Sequence, residues 1–187
     1  MVPGLLATAT VDARFWNVHA DERRREFACD QVISRPTARA VRGIDIDAPA
    51  DLLFRWVGQL RVAPYSYEWI DNLGRQSPRT LTPGLPPLAV GDHVMIGTVV
   101  SLTPGSQVTV LTSGRGRLLF GRIALTYEVV PRGTHASRLL CCLALGGIGP
   151  LGRPLHQLLL RGDAIMMRKQ FLVLKECAEH DAARSVR

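Results

Sequence analysis

Residues 152–180 read GRPLHQLLLRGDAIMMRKQFLVLKECAEH, and how this stretch folds decides the architecture of the whole chain. It is the longest segment with helical periodicity, and past its first turn it holds no breaker beyond Gly162. On a wheel of ~100° per residue, Leu159, Leu160, Met166, Met167, Phe171, Val173, Leu174, Cys177 and Ala178 share one broad apolar arc, opposite Arg161, Arg168, Lys175 and Glu179. Inside the apolar arc stand His156, Asp163 and Gln170, a heptad apart and therefore about 10 Å per step. A buried carboxylate without a partner is costly, so this polar stripe must be paired or must line a cavity. Two readings of Asp163 stay open. It pairs structurally with a nearby arginine, or it meets a ligand as a hydrogen-bonding group or a base of raised pKa, with His156 beside it. Gln170 also reads as a satisfied core amide.

Outward from this helix the pattern changes to period two. Leu118 to Val130 reads as a long strand whose odd positions, Leu119, Gly121, Ile123, Leu125, Tyr127 and Val129, form the inner face, with Arg122, Thr126 and Glu128 on the other. Ala136 to Leu145 is the last strand, with Leu139, Cys141, Leu143 and Leu145 inward. Asp92 to Leu102 and Gln107 to Thr112 read as a hairpin about Pro104-Gly105, and Gly114-Arg115-Gly116 as a further turn. Thr37 to Asp47 is strand one. Asp47-Ala48-Pro49-Ala50-Asp51 then carries the cap, early proline and acidic first turn of a helix running to about Gly58. A second short helix is predicted over Pro64 to Leu73, and the proline-rich stretch 77–90 is a loop. Residues 1–19 show no period and read as a loosely packed arm, followed by a short charged helix over Asp21 to Ile33. The expected organisation is an N-terminal arm over 1–35, one domain over 36–181 and a tail over 182–187. A meander of this kind has a dry face that only the final helix is long enough to cover. The fold class is α+β: a curved antiparallel sheet wrapped around a long C-terminal helix, with two short helices after strand one.

The order of elements, with Ile46-Asp47-Ala48-Pro49-Ala50-Asp51 leading into Leu52-Leu53-Phe54-Arg55-Trp56, resembles the START-like (SRPBCC, Bet v 1-like) superfamily. More narrowly, it resembles the bacterial polyketide cyclase/dehydrase and lipid-transport group. The runs Pro64-Tyr65-Ser66-Tyr67-Glu68-Trp69-Ile70-Asp71-Asn72 and Gly162-Asp163-Ala164-Ile165-Met166-Met167-Arg168-Lys169-Gln170 are similar to segments of its actinobacterial members. The resemblance covers about Pro36 to His180. It implies a helix-grip fold with an internal pocket for a hydrophobic small molecule. It also implies six or seven strands where the sequence supplies five, and the further strand is expected in the 75–90 loop. No residue set matches the catalytic positions of a characterised ring cyclase, so the enzymatic label does not transfer with the fold.

Composition narrows the classes of function. The chain has 187 residues, 47% hydrophobic and 21% charged, as an ordinary globular domain does. Net charge is +7, and all basic residues except Lys169 and Lys175 are arginines. The arginines are scattered apart from Arg23-Arg24-Arg25, and no strand interleaves basic with aromatic residues, so no nucleic-acid partner is expected. Cys29, Cys141, Cys142 and Cys177 contain no C-x-x-C pair, which excludes a zinc site or a disulfide framework by spacing and suits a reducing cytoplasm. No signal peptide is expected. The most apolar uncharged run, Leu139 to Gly152, is fourteen residues, short of the ~18 a membrane span needs.

Gly147-Ile148-Gly149-Pro150-Leu151-Gly152 matches G-x-G-x-x-G, but a dinucleotide site needs a βαβ unit, and here no parallel strand follows the helix. No cofactor and no metal are expected. The candidate ligand-binding residues are Tyr67, Trp69, Tyr127, Met166, Met167 and Gln170, with Asp163 and His156 as candidate catalytic groups. Tyr127 faces inward and needs a partner for its hydroxyl, Tyr67 and Trp69 stand in an aromatic cluster with Tyr65, and the methionines are adaptable fillers. The expected partner is a hydrophobic or aromatic small molecule, bound by a cytoplasmic monomer or homodimer. Three functions compete: a cofactor-free cyclase or dehydratase of polyketide-like substrates, a carrier or sensor of lipid or isoprenoid, and an interaction module with a packed interior.

Overall fold

The computed structural model describes residues 14–66, 76–146 and 152–185, with side chains from 158 onward in the last segment. Seven strands form one sheet: β1 (Phe15–Trp16), β2 (Ala38–Ile46), β3 (His93–Val94), β4 (Gly97–Thr103), β5 (Gln107–Thr112), β6 (Ile123–Pro131) and β7 (Ser137–Leu145). Their spatial order is β1-β2-β7-β6-β5-β4-β3. Every pairing is antiparallel except that of β1 with β2, where Phe15 lies opposite Val41 and Trp16 opposite Arg42. The helices are α1 (Ala20–Arg24), α2 (Ala28–Val32), α3 (Ala50–Gly58), α4 (Gly114–Phe120) and α5 (Gly152–Ser185). This is the expected α+β helix-grip architecture: a mostly antiparallel sheet closed by a long C-terminal helix.

The alternation read along β6 and β7 is the alternation observed. Leu125, Tyr127, Val129, Leu139, Cys141, Leu143 and Leu145 join Ile44, Ile46, Trp56, Phe171 and Leu174 in the principal core, between the sheet and α3 and α5. Burying side chains such as Phe171 and Leu174, both fully buried, contributes about 1.5–3 kcal/mol each. That hold is reinforced at the far end of the helix, where Trp56 Nε1 donates to Asp181 at 3.2 Å and Lys175 Nζ to the Asp45 carbonyl at 2.7 Å.

Several local expectations are corrected. The opposite face of the sheet is not wet: Phe27, Cys29 and Ile33 cover Val41, Ala124, Leu140, Cys142 and Ala144 in a second core. The segment from residue 14 onward is therefore packed rather than loose. Two groups anchor it. Arg138, 1% exposed, takes Glu22 in two hydrogen bonds of 2.6 and 2.8 Å, and Thr126 Oγ1 accepts the Cys29 amide at 2.8 Å. The further strands are β1 and the short β3, while residues 76–92 contain none. The strand expected over Asp92 to Leu102 is split by a tight turn at Met95–Ile96, because Met95 adopts φ +50° and Val94 pairs back on Gly97. Gly114-Arg115-Gly116 opens α4 instead of a simple turn, and β6 begins at Ile123 rather than Leu118, so Leu119, expected on the inner strand face, is helical and exposed. Pro64 to Ser66 are not helical, which corrects the start of the helix predicted over Pro64 to Leu73; the rest of that helix and residues 147–151 of the glycine motif lie outside the described residues.

Candidate functional site

One row across the inner face of the sheet carries the polar groups. β-sheet register places Arg42 opposite Cys141, Cys141 opposite Tyr127, and Tyr127 opposite Val108. Arg42 belongs to the inner face by the same alternation that turns Ala40, Ile44 and Ile46 inward. Two strand spacings separate Arg42 from Tyr127, roughly 9.6 Å. A heptad step on α5 covers about 10.5 Å. The match lets Asp163 reach Arg42 while Gln170 reaches Tyr127.

Asp163 Oδ2 accepts a hydrogen bond from Arg42 Nη1. The Arg42 side chain is 1% exposed and that of Asp163 is 29% exposed, so the pair has one dry partner and one that solvent can reach. Burial pushes the Asp163 carboxyl above the usual carboxylate range, and the Arg42 guanidinium pulls against that shift. At the other end of the row, Tyr127 Oη donates to Gln170 Oε1 at 2.8 Å, and Gln170 Nε2 donates to the Pro64 carbonyl at 2.7 Å. The sulfurs of Met167 and Met95 lie 3.9 and 4.0 Å from the Tyr127 hydroxyl. Burial holds Tyr127 and Cys141 far above their ordinary pKa values, so both stay protonated at neutral pH. Beyond this row Tyr65, at φ +54°, stands edge-on to Trp56 with ring centroids 6.0 Å apart. Its hydroxyl is buried with no hydrogen-bond partner among the described residues.

Of the residues singled out from the sequence, Asp163, Tyr127, Met167 and Gln170 come together. Met166 is half-buried and turned about 100° round the helix from Met167. Tyr67 and Trp69 lie outside the described residues, as does the side chain of His156. Two participants escaped the sequence reading. Arg42 looks like one scattered arginine among many, although its even position in β2 signals the inner face. Met95 gives no signal, since nothing in its residue type announces a left-handed turn.

On the outer face, Cys29, Asp30 and Cys142 bring three potential ligand atoms within 4.8 Å of one another. Asp30 is already held by Arg39 at 2.9 and 3.0 Å and by the Phe27 amide at 2.9 Å. The cluster is therefore accounted for as a packing and hydrogen-bonding contact.

The topology and the grip of α5 define a helix-grip fold. No family model matches the chain, and no curated protein matches it. Among solved structures the chain is similar to the di-domain ARO/CYC BexL from the BE-7585A biosynthetic pathway, with 18% identity, a TM-score of 0.49, and coverage of 76% of this chain and 47% of that one. It is similar also to a START superfamily protein from Mycobacterium smegmatis, with 15% identity, a TM-score of 0.44, and coverage of 78% and 97%. A third is the Zhui aromatase/cyclase from Streptomyces sp. R1128, with 15% identity, a TM-score of 0.44, and coverage of 80% and 96%. At these identities the likeness concerns the fold.

Proposed function

We propose that the protein binds a hydrophobic or aromatic small molecule between the inner face of the sheet and α5, with the ligand's polar group toward the Arg42–Asp163 pair. One observation carries this reading: a single row of polar groups crosses an otherwise apolar interior and is met by polar residues from the helix. A core built for stability alone gains little from such a pair, because packed apolar residues of similar volume are often as stabilising or more so. The partial exposure of Asp163 against the dryness of Arg42 gives the pair a side that a ligand can approach. Met95 and Met167 flank the row with flexible, polarisable side chains that adapt to varied apolar shapes.

The catalytic form of this reading gives Asp163 the role of a proton acceptor and donor in a cofactor-free cyclisation or dehydration of a polyketide-like substrate. The upward shift of its carboxyl by burial is the direction such a base requires. The carrier form uses the same proposed site without proton transfer.

Native mass spectrometry of the purified chain, followed by denaturing extraction, tests the reading. A retained apolar molecule at one per chain is the expected result, and its identity separates substrate from cargo. A second arm compares Asp163→Asn with wild type against that molecule: a carrier keeps binding, whereas an enzyme loses turnover. Failure of both the extract and added apolar probes to bind would contradict the proposal.

A further inference from the structure

Residues 114–122 read GRGRLLFGR, and from His93 to Tyr127 the chain contains no acidic residue. Leu118 is 85% exposed and Leu119 69% exposed, the two most exposed large hydrophobic residues among those described. Arg115 and Arg117, beside them on α4, are exposed as well. This is not a fraying end. Phe120 packs against the principal core on the opposite side of the short helix. Gly116 seats the helix directly on the β3–β4 turn, where a Cβ would come 2.2 Å from the Ile96 carbonyl oxygen. Ile96 is itself 38% exposed and extends the apolar surface. The backbone is therefore committed to presenting two leucines and two arginines together to the outside.

We propose that α4 and the Met95–Ile96 turn form a docking face for an anionic lipid bilayer. Adjacent exposed leucines favour insertion at the boundary between headgroups and acyl chains, and flanking arginines favour anionic phosphates. Charge decides between this occupant and a second copy of the chain. A two-fold contact through α4 would bring Arg115 and Arg117 against their own counterparts, with no acidic residue in the segment to offset them. No helix among the described residues is long and apolar enough to cross a membrane, so this is attachment at the surface. The face adjoins Met95, whose sulfur touches both Tyr127 and Gln170. If the ligand proposed above is taken from a bilayer, this is the end at which it meets the protein. The docking itself does not depend on that ligand.

The test is co-sedimentation of the full chain with vesicles of phosphatidylcholine alone and of phosphatidylcholine mixed with phosphatidylglycerol. The expected result is binding to the phosphatidylglycerol vesicles that weakens as salt rises. Leu118→Ser/Leu119→Ser should weaken this binding by about tenfold or more. Arg115→Gln/Arg117→Gln should abolish the preference for phosphatidylglycerol. All four residues are exposed, so unchanged melting temperatures are expected and confirm that the variants fold. Equal sedimentation of wild type and the serine variant, or no binding to either vesicle, would overturn the proposal. So would a dimer in vesicle-free solution that the serine variant dissociates, which would assign the face to a second copy. Uptake of a soluble apolar probe by the serine variant separates this proposal from the internal site, since docking can fail while the site remains.

Discussion

Tyr127 on β6 donates its hydroxyl to Gln170 Oε1 on α5 at 2.8 Å, and Gln170 passes the chain on to the Pro64 carbonyl at 2.7 Å. Three segments distant in sequence are joined through one buried amide. Both side chains are nearly inaccessible to water, Tyr127 at 1% and Gln170 at 4%. Tyr127→Phe leaves the amide oxygen without its donor in a dry interior and should cost about 1–3 kcal/mol in urea unfolding. Adding Gln170→Leu removes the stranded polar group and should return part of that loss. An unchanged urea midpoint for Tyr127→Phe would show that the bond contributes nothing to stability.

The Arg42–Asp163 pair leads to a second expectation. Removing one partner of a fully buried pair costs about 3–5 kcal/mol, because it strands the other charge. Asp163 keeps 29% of its side chain exposed, so solvent screening reduces the effect of Asp163→Asn to about 2–3 kcal/mol. Arg42→Met combined with Asp163→Asn should be more stable than Asp163→Asn alone, and a double-mutant cycle on unfolding free energy reads the coupling. Strict additivity of the two substitutions would mean that the pair is not formed in solution.

Glu22 makes stability depend on pH at the outer face. Burial alone would raise its carboxyl, but hydrogen bonds from Arg138 and the His19 amide outweigh burial and hold it below its ordinary 4.5. The folded state therefore binds this proton less readily than the unfolded chain. The stabilisation is complete above the unfolded value and disappears as pH falls through the lower, folded one. Glu22→Gln should lower the melting temperature near neutral pH, and the gap to wild type should close in the acid range. A gap that stays constant with pH would show that the carboxylate's charge is not what Arg138 recognises.

Much of this arrangement was legible in the sequence because hydrophobic period reports which face is dry. It placed Leu125, Tyr127 and Val129 inward with Leu139, Cys141 and Leu143, and it placed Asp163 and Gln170 on one stripe of a long helix. It could not say what the stripe meets, because Arg42 lies more than a hundred residues away and resembles the other arginines. The outer face misled for a related reason. Thr126 and Glu128 look like solvent positions, but α1 and α2 bring Cys29 and Arg25 onto them, and the polar residues of the strand become hydrogen-bonding partners instead of a wet surface. Local backbone chemistry hid the Met95–Ile96 turn, since a left-handed φ is uncommon at a methionine and no glycine stands at that position to announce it. The helix α4 was obscured by two glycines that usually punctuate turns; here Gly116 is needed for close approach to Ile96.

The central claim is that an apolar molecule sits between the sheet and α5. Its most direct test is a fluorescence titration of the full chain with N-phenyl-1-naphthylamine, comparing wild type with Met167→Phe, a change beside the Tyr127–Gln170 bond. The account expects saturable uptake at one probe per chain, with a midpoint shifted by the substitution while the melting temperature stays within a few degrees. Non-saturating emission, or saturation identical in the two proteins, would contradict it and leave the interior as packed core.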